Sequence, residues 1–70
     1  MRKLDLHGKK HEEVLVLVED YVLENQRRLP IKIITGNSKK MKSYCYEILD
    51  KYNMKYFVPS HNLGEIIILQ

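Results

Sequence analysis

The sequence predicts an α/β (α+β) two-layer sandwich, ordered β-α-β-α-β-β, with a four-stranded mixed sheet and two helices on one face. Three observations carry that prediction: two apolar stripes at helical spacing, short apolar or alternating runs between and after them, and turn-forming residues at the junctions. "KLDL" at 3–6 alternates, with Leu4 and Leu6 on one face and Asp5 and His7 on the other, and reads as a first short strand. From His11 to Asn25, Val14, Leu15, Leu17, Val18, Tyr21 and Val22 make one broad stripe, the first helix. Val16 and Leu23 fall on its opposite side among Glu12, Glu19 and Asp20, and read as tolerated surface residues in preference to a small partner patch.

Pro30 blocks continuation of that helix, and "IKIIT" at 31–35 is apolar enough for a central strand, covered on both faces or flanked on both edges. "TGNS" then turns the chain, with Asn37 or Ser38 as N-cap of a second helix. In that helix Met41, Tyr44, Cys45, Ile48, Leu49 and Tyr52 hold helical spacing without a break, and Asn53 suits a left-handed C-terminal cap. "KYFVPS" at 55–60 and "EIIILQ" at 65–70 read as antiparallel strands joined by the short loop "HNLG". With the two most apolar strands central and right-handed crossovers, the sheet order is 1-2-4-3 with strand 4 antiparallel.

Seventy residues make one domain, residues 1–70, with a compact core. The only cysteine, Cys45, excludes an internal disulfide framework and a multi-thiolate zinc site, and sits on the second helix's core stripe as a packing residue. A reducing, cytoplasmic setting is expected. The longest apolar runs, "VLVLV" at 14–18 and "IIIL" at 66–69, fall far short of the roughly 20 residues a membrane-spanning helix needs. The charged start reads as no secretory signal, and no membrane partner is expected.

Twelve Lys and Arg against nine Asp and Glu give a net charge of +3, and placement matters more than the total. The parallel strands open their C-terminal ends onto one rim, where "HGKK", "TGNSKK" and "SHNLG" meet. Lys9, Lys10, Lys39, Lys40 and Lys42 lie in the first two loops or the helix starts beyond them, beside positive dipole ends and free backbone N–H groups. That concentration is what a phosphate backbone requires, so DNA or RNA is the expected partner.

Asp5 and His7 project from the same side beside this rim, the arrangement in which a carboxylate orients a catalytic imidazole. Seen alone, such a triplet more often comes from a strand-edge aspartate making a turn hydrogen bond next to an exposed histidine. Gly8 allows close backbone approach or a positive φ. Thr35, Gly36, Asn37 and Ser38 offer amides and hydroxyls for a phosphate, and His61 and Asn62 join from the third loop. His7, His11 and His61 share the rim but mix a strand end, a helix start and a loop, which argues against a zinc site. A divalent cation such as Mg²⁺, held by Asp5 and a phosphate, fits better, although no spacing demands it. Tyr46, Tyr56 and Phe57 are the aromatics least committed to helix cores and so open to base stacking; strand packing is the expected role of Tyr56 and Phe57, and a solvent-facing position that of Tyr46.

With these residues assembled, the chain resembles the Smr (small MutS-related) domain in its short stand-alone form. "LDLHG" at 4–8 matches the family's opening signature, "IITG" at 33–36 its second motif and "NLGEIIIL" at 62–69 its closing segment. The second motif departs from the family's T-G-x-G by having Ser38 last, and the closing segment lacks the glycine-rich run of larger members. The resemblance implies a fold similar to the C-terminal domain of translation initiation factor three, nucleic-acid binding and, in a number of members, endonuclease activity. By position, Asp5, His7 and Gly8 fall on the first motif and Thr35 and Gly36 on the second. The expectation is a monomeric nucleic-acid-binding protein with endonuclease (nicking or RNA-cleaving) activity, His7 acting as general acid/base and Asp5 orienting it or holding a metal. The alternatives are a non-catalytic DNA- or RNA-binding module and an interaction domain that dimerises through its uncovered sheet face.

Overall fold

A computed structural model describes residues 1–70 as β1 (Arg2–Asp5), α1 (His11–Glu24), β2 (Ile31–Ile34), α2 (Lys39–Lys51), β3 (Tyr56–Phe57) and β4 (Glu65–Ile68). The four strands form one sheet in the order β1-β2-β4-β3, the order the sequence predicts. β1 and β2 are parallel, and β4 runs antiparallel to both of its neighbours. The C-terminal ends of β1, β2 and β3 therefore reach one edge of the sheet, together with the start of β4.

Strand alternation explains the two layers. Ile31 and Ile33 of β2 and Ile66 and Ile68 of β4 are fully buried and share one core with Val14, Val18 and Val22 of α1 and Met41, Cys45, Ile48 and Leu49 of α2. The helices also pack on each other. Burying each of these aliphatic side chains contributes on the order of 1.5–3 kcal/mol. β2 is apolar because it has neighbours on both edges, not because both faces are covered: Lys32 and Ile34 on its other side are only half-buried. Lys32 there forms an ion pair with Glu65 of β4 at 3.2 Å. Val16 and Leu23 are exposed on the outer side of α1.

The helix ends follow from local chemistry. α1 starts where the Glu13 carboxylate reaches back to the Lys10 N–H at 3.2 Å, and it closes with the Asn25 side-chain amide donating to the Tyr21 carbonyl at 2.8 Å. α2 starts with the Ser38 hydroxyl accepting the Met41 N–H at 3.1 Å, which makes Ser38 rather than Asn37 the cap. Asn53, with φ 55°, is the left-handed residue after α2. Across the helix pair, the Glu19 carboxylate accepts from the Tyr52 hydroxyl at 2.7 Å and the Lys51 ammonium at 3.3 Å.

One expectation holds beyond the strand's formal end and three others change. The ladder passes β1 by one residue, Leu6 N–H donating to the Ile34 carbonyl at 2.9 Å, so Leu6 seats in the core as a strand over 3–6 requires. β3 keeps only two of the six residues at 55–60, because Pro59 brings no N–H to the ladder; residues 58–64 form a longer loop than "HNLG" alone. Tyr46 is not solvent-facing: its ring stacks on Tyr56 with centroids 5.3 Å apart and planes at 14°. Tyr56 in turn donates its hydroxyl to Asp50 at 2.7 Å. Phe57, expected to pack within its strand, is 46% exposed on the face away from the helices. No helix is long and apolar enough to cross a membrane.

Candidate nucleic-acid interface

Three loops leave the shared sheet edge, and a single carbonyl ties two of them together. Gly64 C=O, just before β4, accepts the backbone N–H of Thr35 at 2.8 Å, that of Gly36 at 3.1 Å and the Thr35 hydroxyl at 3.2 Å. Thr35 is buried, and its one hydroxyl proton is shared between that carbonyl and the nearer Gly36 carbonyl at 2.9 Å. These groups fix the loop after β2 and are unavailable to a ligand. That corrects the expectation that Thr35 and Gly36 cradle a phosphate through their own amides and hydroxyl. Gly36 contributes instead a positive φ of 67°, which turns the chain from β2 into α2. Sequence reasoning assigns Gly64 only a turn; an added Cβ there would lie 3.3 Å from Gly36 Cα, and the signal for this closeness is a glycine in each of two loops that share an edge.

What remains open is the start of α2. The backbone N–H groups of Asn37, Ser38, Lys39 and Lys40 have no acceptor in the protein, while Lys39 and Lys40 are exposed and Lys42 is half-buried. The first turn of α2 contains no acidic residue. The N–H groups, the dipole end and three ammonium groups therefore act with one sign on an anion.

The start of α1 differs. Glu12 and Glu13 occupy its first turn, and the Glu13 carboxylate already holds the Lys10 N–H. Lys9 and Lys10 are exposed, but acids sit beside them, and Lys9, Glu12, Glu13, Val16 and Leu17 line one shallow hollow. The two helix starts thus differ: acids stand beside Lys9 and Lys10 in the first turn of α1, and none stands in that of α2.

Asp5 and His7 leave β1 on the same side, and Gly8 (φ 77°) turns the chain after them. Asp5 Oδ1 accepts the backbone N–H of His7 at 2.8 Å. This is the turn hydrogen bond that a strand-edge aspartate makes, and it fixes the His7 backbone, not its ring. The His7 imidazole is exposed and hydrogen-bonded to no protein group.

Asn62 shapes its own loop, its amide donating to Glu65 at 2.9 Å and its oxygen accepting the Gly64 N–H at 3.0 Å. His61 is exposed. His11 packs its ring against Tyr44, centroids 5.1 Å apart, and no three His, Cys, Asp or Glu side chains gather into a metal-binding group. Asp5 is a lone carboxylate with one oxygen already engaged, a poor donor set for a resident cation. Cys45 lies in the core, where burial pushes its thiol up to about 12, far from a reactive thiolate.

The rim therefore combines one unopposed cationic helix start, one exposed imidazole and a rigid loop scaffold. Compared with known proteins, the chain matches no family model, no curated protein and no solved structure.

Proposed function

We propose that this chain binds nucleic acid, DNA or RNA, with the phosphate backbone lying against the start of α2. One observation carries the reading: Lys39, Lys40 and Lys42 stand at the start of α2, beside four unpartnered backbone N–H groups and in a first turn free of acids. Phosphates are the anions such a site suits, because each neutralised phosphate also releases condensed counterions. The "LDLHG" and "IITG" motifs, which resemble those of the Smr domain, support the same partner.

A second reading adds cleavage, and the exposed His7 imidazole favours it. His7 is free to take a proton from an attacking water or to supply one to a leaving oxygen, while Asp5 positions the residue through its backbone. Both readings meet in one experiment. Fluorescence anisotropy of duplex DNA and hairpin RNA is measured for the wild type and Lys39→Ala/Lys40→Ala, and nicking of supercoiled plasmid for the wild type and His7→Ala, with and without EDTA. Binding that weakens in the lysine variant supports the proposal, and absence of binding by the wild type overturns it. Cleavage that disappears in His7→Ala assigns the proton transfer to His7, equal cleavage by both proteins removes it, and binding without cleavage leaves a non-catalytic module.

A further inference from the structure

The sheet has a second face that the helices leave uncovered. The register aligns Phe57 with Ile67, Ile67 with Lys32, and Lys32 with Lys3, so these four side chains form one row across the sheet on that face. At the usual strand separation the row is about 14 Å long. Phe57 is 46% exposed at one end and Ile67 is nearly buried beside it as an apolar floor. Lys55, paired with Leu69 next to Phe57, extends the face, and Leu69 is half exposed there.

We propose that this face is a stacking surface for single-stranded nucleic acid, with Phe57 as the base-stacking ring and Lys3 and Lys55 as phosphate-binding groups, Lys32 being paired with Glu65. The inference rests on the nucleic-acid reading above and narrows its substrate class to unpaired strands. Tyr46 and Tyr56 are engaged with each other, so Phe57 alone among the three uncommitted aromatics presents a ring to solvent. A ring on an open surface attracts a base that has lost its stacking partner, and duplex bases have not.

Charge selects the occupant. The row of Phe57, with the positions beyond it away from the rim, contains Lys3, Lys32 and Lys55 and no acid. The acids of this face, Asp5 and Glu65, lie in the adjoining row and are both engaged, Asp5 with the His7 N–H and Glu65 with Lys32 and Asn62. A second copy packed face to face would set lysines against lysines, so a polyanion fits better than a homodimer. Continuity with the rim favours nucleic acid over an anionic membrane: Lys3 and Asp5 share this side of β1, about 7 Å apart, and the turn that holds His7 follows Leu6 directly. A strand lying across Phe57 and Lys3 reaches the β1 end of the sheet, next to the rim loops.

The chain contains no tryptophan, so Phe57→Trp supplies a single indole at the proposed stacking position. Its emission is followed during titration with oligo(dT), with a DNA duplex at equal phosphate concentration, and with phosphatidylcholine/phosphatidylserine vesicles, and during an increase in protein concentration alone. The expected result is saturable quenching by oligo(dT) and little change in the other three. In parallel, Phe57→Ala weakens oligo(dT) binding on the order of tenfold, about 1.4 kcal/mol, and leaves duplex binding unchanged, while Phe57→Tyr retains the wild-type affinity. Circular dichroism checks that each variant is folded. Equal oligo(dT) affinity for wild type and folded Phe57→Ala overturns the inference, as does an emission change produced only by vesicles or only by protein concentration, which assigns the face to a membrane or a second copy. If Phe57→Ala does not fold, the Phe57→Trp titration decides alone. Absence of the oligo(dT) response with duplex binding intact refutes this inference only, whereas a wild type that binds neither refutes the underlying nucleic-acid reading as well.

Discussion

The Asp5 carboxylate accepts the backbone N–H of His7 at 2.8 Å, and this bond makes Asp5 a loop-fixing residue before it is anything else. Asp5→Asn keeps an acceptor oxygen, so its stability in urea unfolding stays close to that of the wild type. Asp5→Ala removes the acceptor and costs about 1 kcal/mol. Equal destabilisation of the two variants would mean that the charge, not the hydrogen bond, carries the effect.

Gly64 anchors the loop that leads into α2, and the anchor is testable from both sides. Thr35→Val keeps the buried volume but removes the hydroxyl proton shared between the Gly36 and Gly64 carbonyls, with an expected cost of about 1 kcal/mol. Gly64→Ala forces a Cβ to 3.3 Å from Gly36 Cα and Asn62 Oδ1, with an expected cost of roughly 1–3 kcal/mol. Chemical denaturation reads both effects, and wild-type stability in the two variants would contradict this account of the loop.

Ser38 stands where the T-G-x-G pattern has glycine, and its hydroxyl caps α2 through the Met41 N–H. Ser38→Ala should cost about 1 kcal/mol and Ser38→Gly only a few tenths, because glycine leaves the free N–H groups hydrated. Thermal unfolding of the two variants side by side checks the order; the reverse order would deny the cap its role.

Much of this was legible in the sequence for identifiable reasons. The α2 stripe from Met41 to Tyr52 is unbroken, and β2 and β4, the most apolar of the four strands, point to central places and so to the order 1-2-4-3. What escaped depends on contacts between distant residues. Gly64 meets Thr35 and Gly36 across 28 or more positions, and Tyr46 meets Tyr56 across two elements, so no local pattern announces either. Asp5 was legible as a residue beside the rim, but two partners compete for its oxygen, and the His7 amide wins over the His7 ring because the turn places it within reach. The contrast between the helix starts was present in the sequence all along, in Glu12 and Glu13 after Lys9 and Lys10.

Stability should fall at both ends of the pH scale, for separate reasons. Burial raises the Cys45 thiol to about 12 from an ordinary value near 9. Burial, followed by the Asp50 carboxylate, raises the Tyr56 phenol to about 12 from near 10. A raised value in the folded state gives stability that is complete below the unfolded value, so it is lost as pH climbs from about 9 toward 12. At the acid end the Tyr52 hydroxyl and then the Lys51 ammonium hold the Glu19 carboxyl below its usual value, so that contribution is present above about pH 4.5 and lost as pH falls further. Denaturation midpoints against pH should show both limbs, with the acid limb flatter in Glu19→Gln. An acid limb unchanged by that substitution would locate its origin elsewhere.

The central claim is that the phosphate site lies at α2 and not equally at both helix starts, and the salt dependence of binding tests it most directly. Anisotropy titrations of a labelled DNA duplex across a salt series give the slope of log K against log [salt], whose magnitude falls by about 0.9 for each phosphate that is no longer neutralised. The account predicts a clearly shallower slope and weaker binding in Lys39→Ala/Lys40→Ala and a smaller change in Lys9→Ala/Lys10→Ala, where Glu12 and Glu13 already offset the charge. Equal effects of the two double substitutions, or a wild-type slope in the Lys39/Lys40 variant, would contradict it.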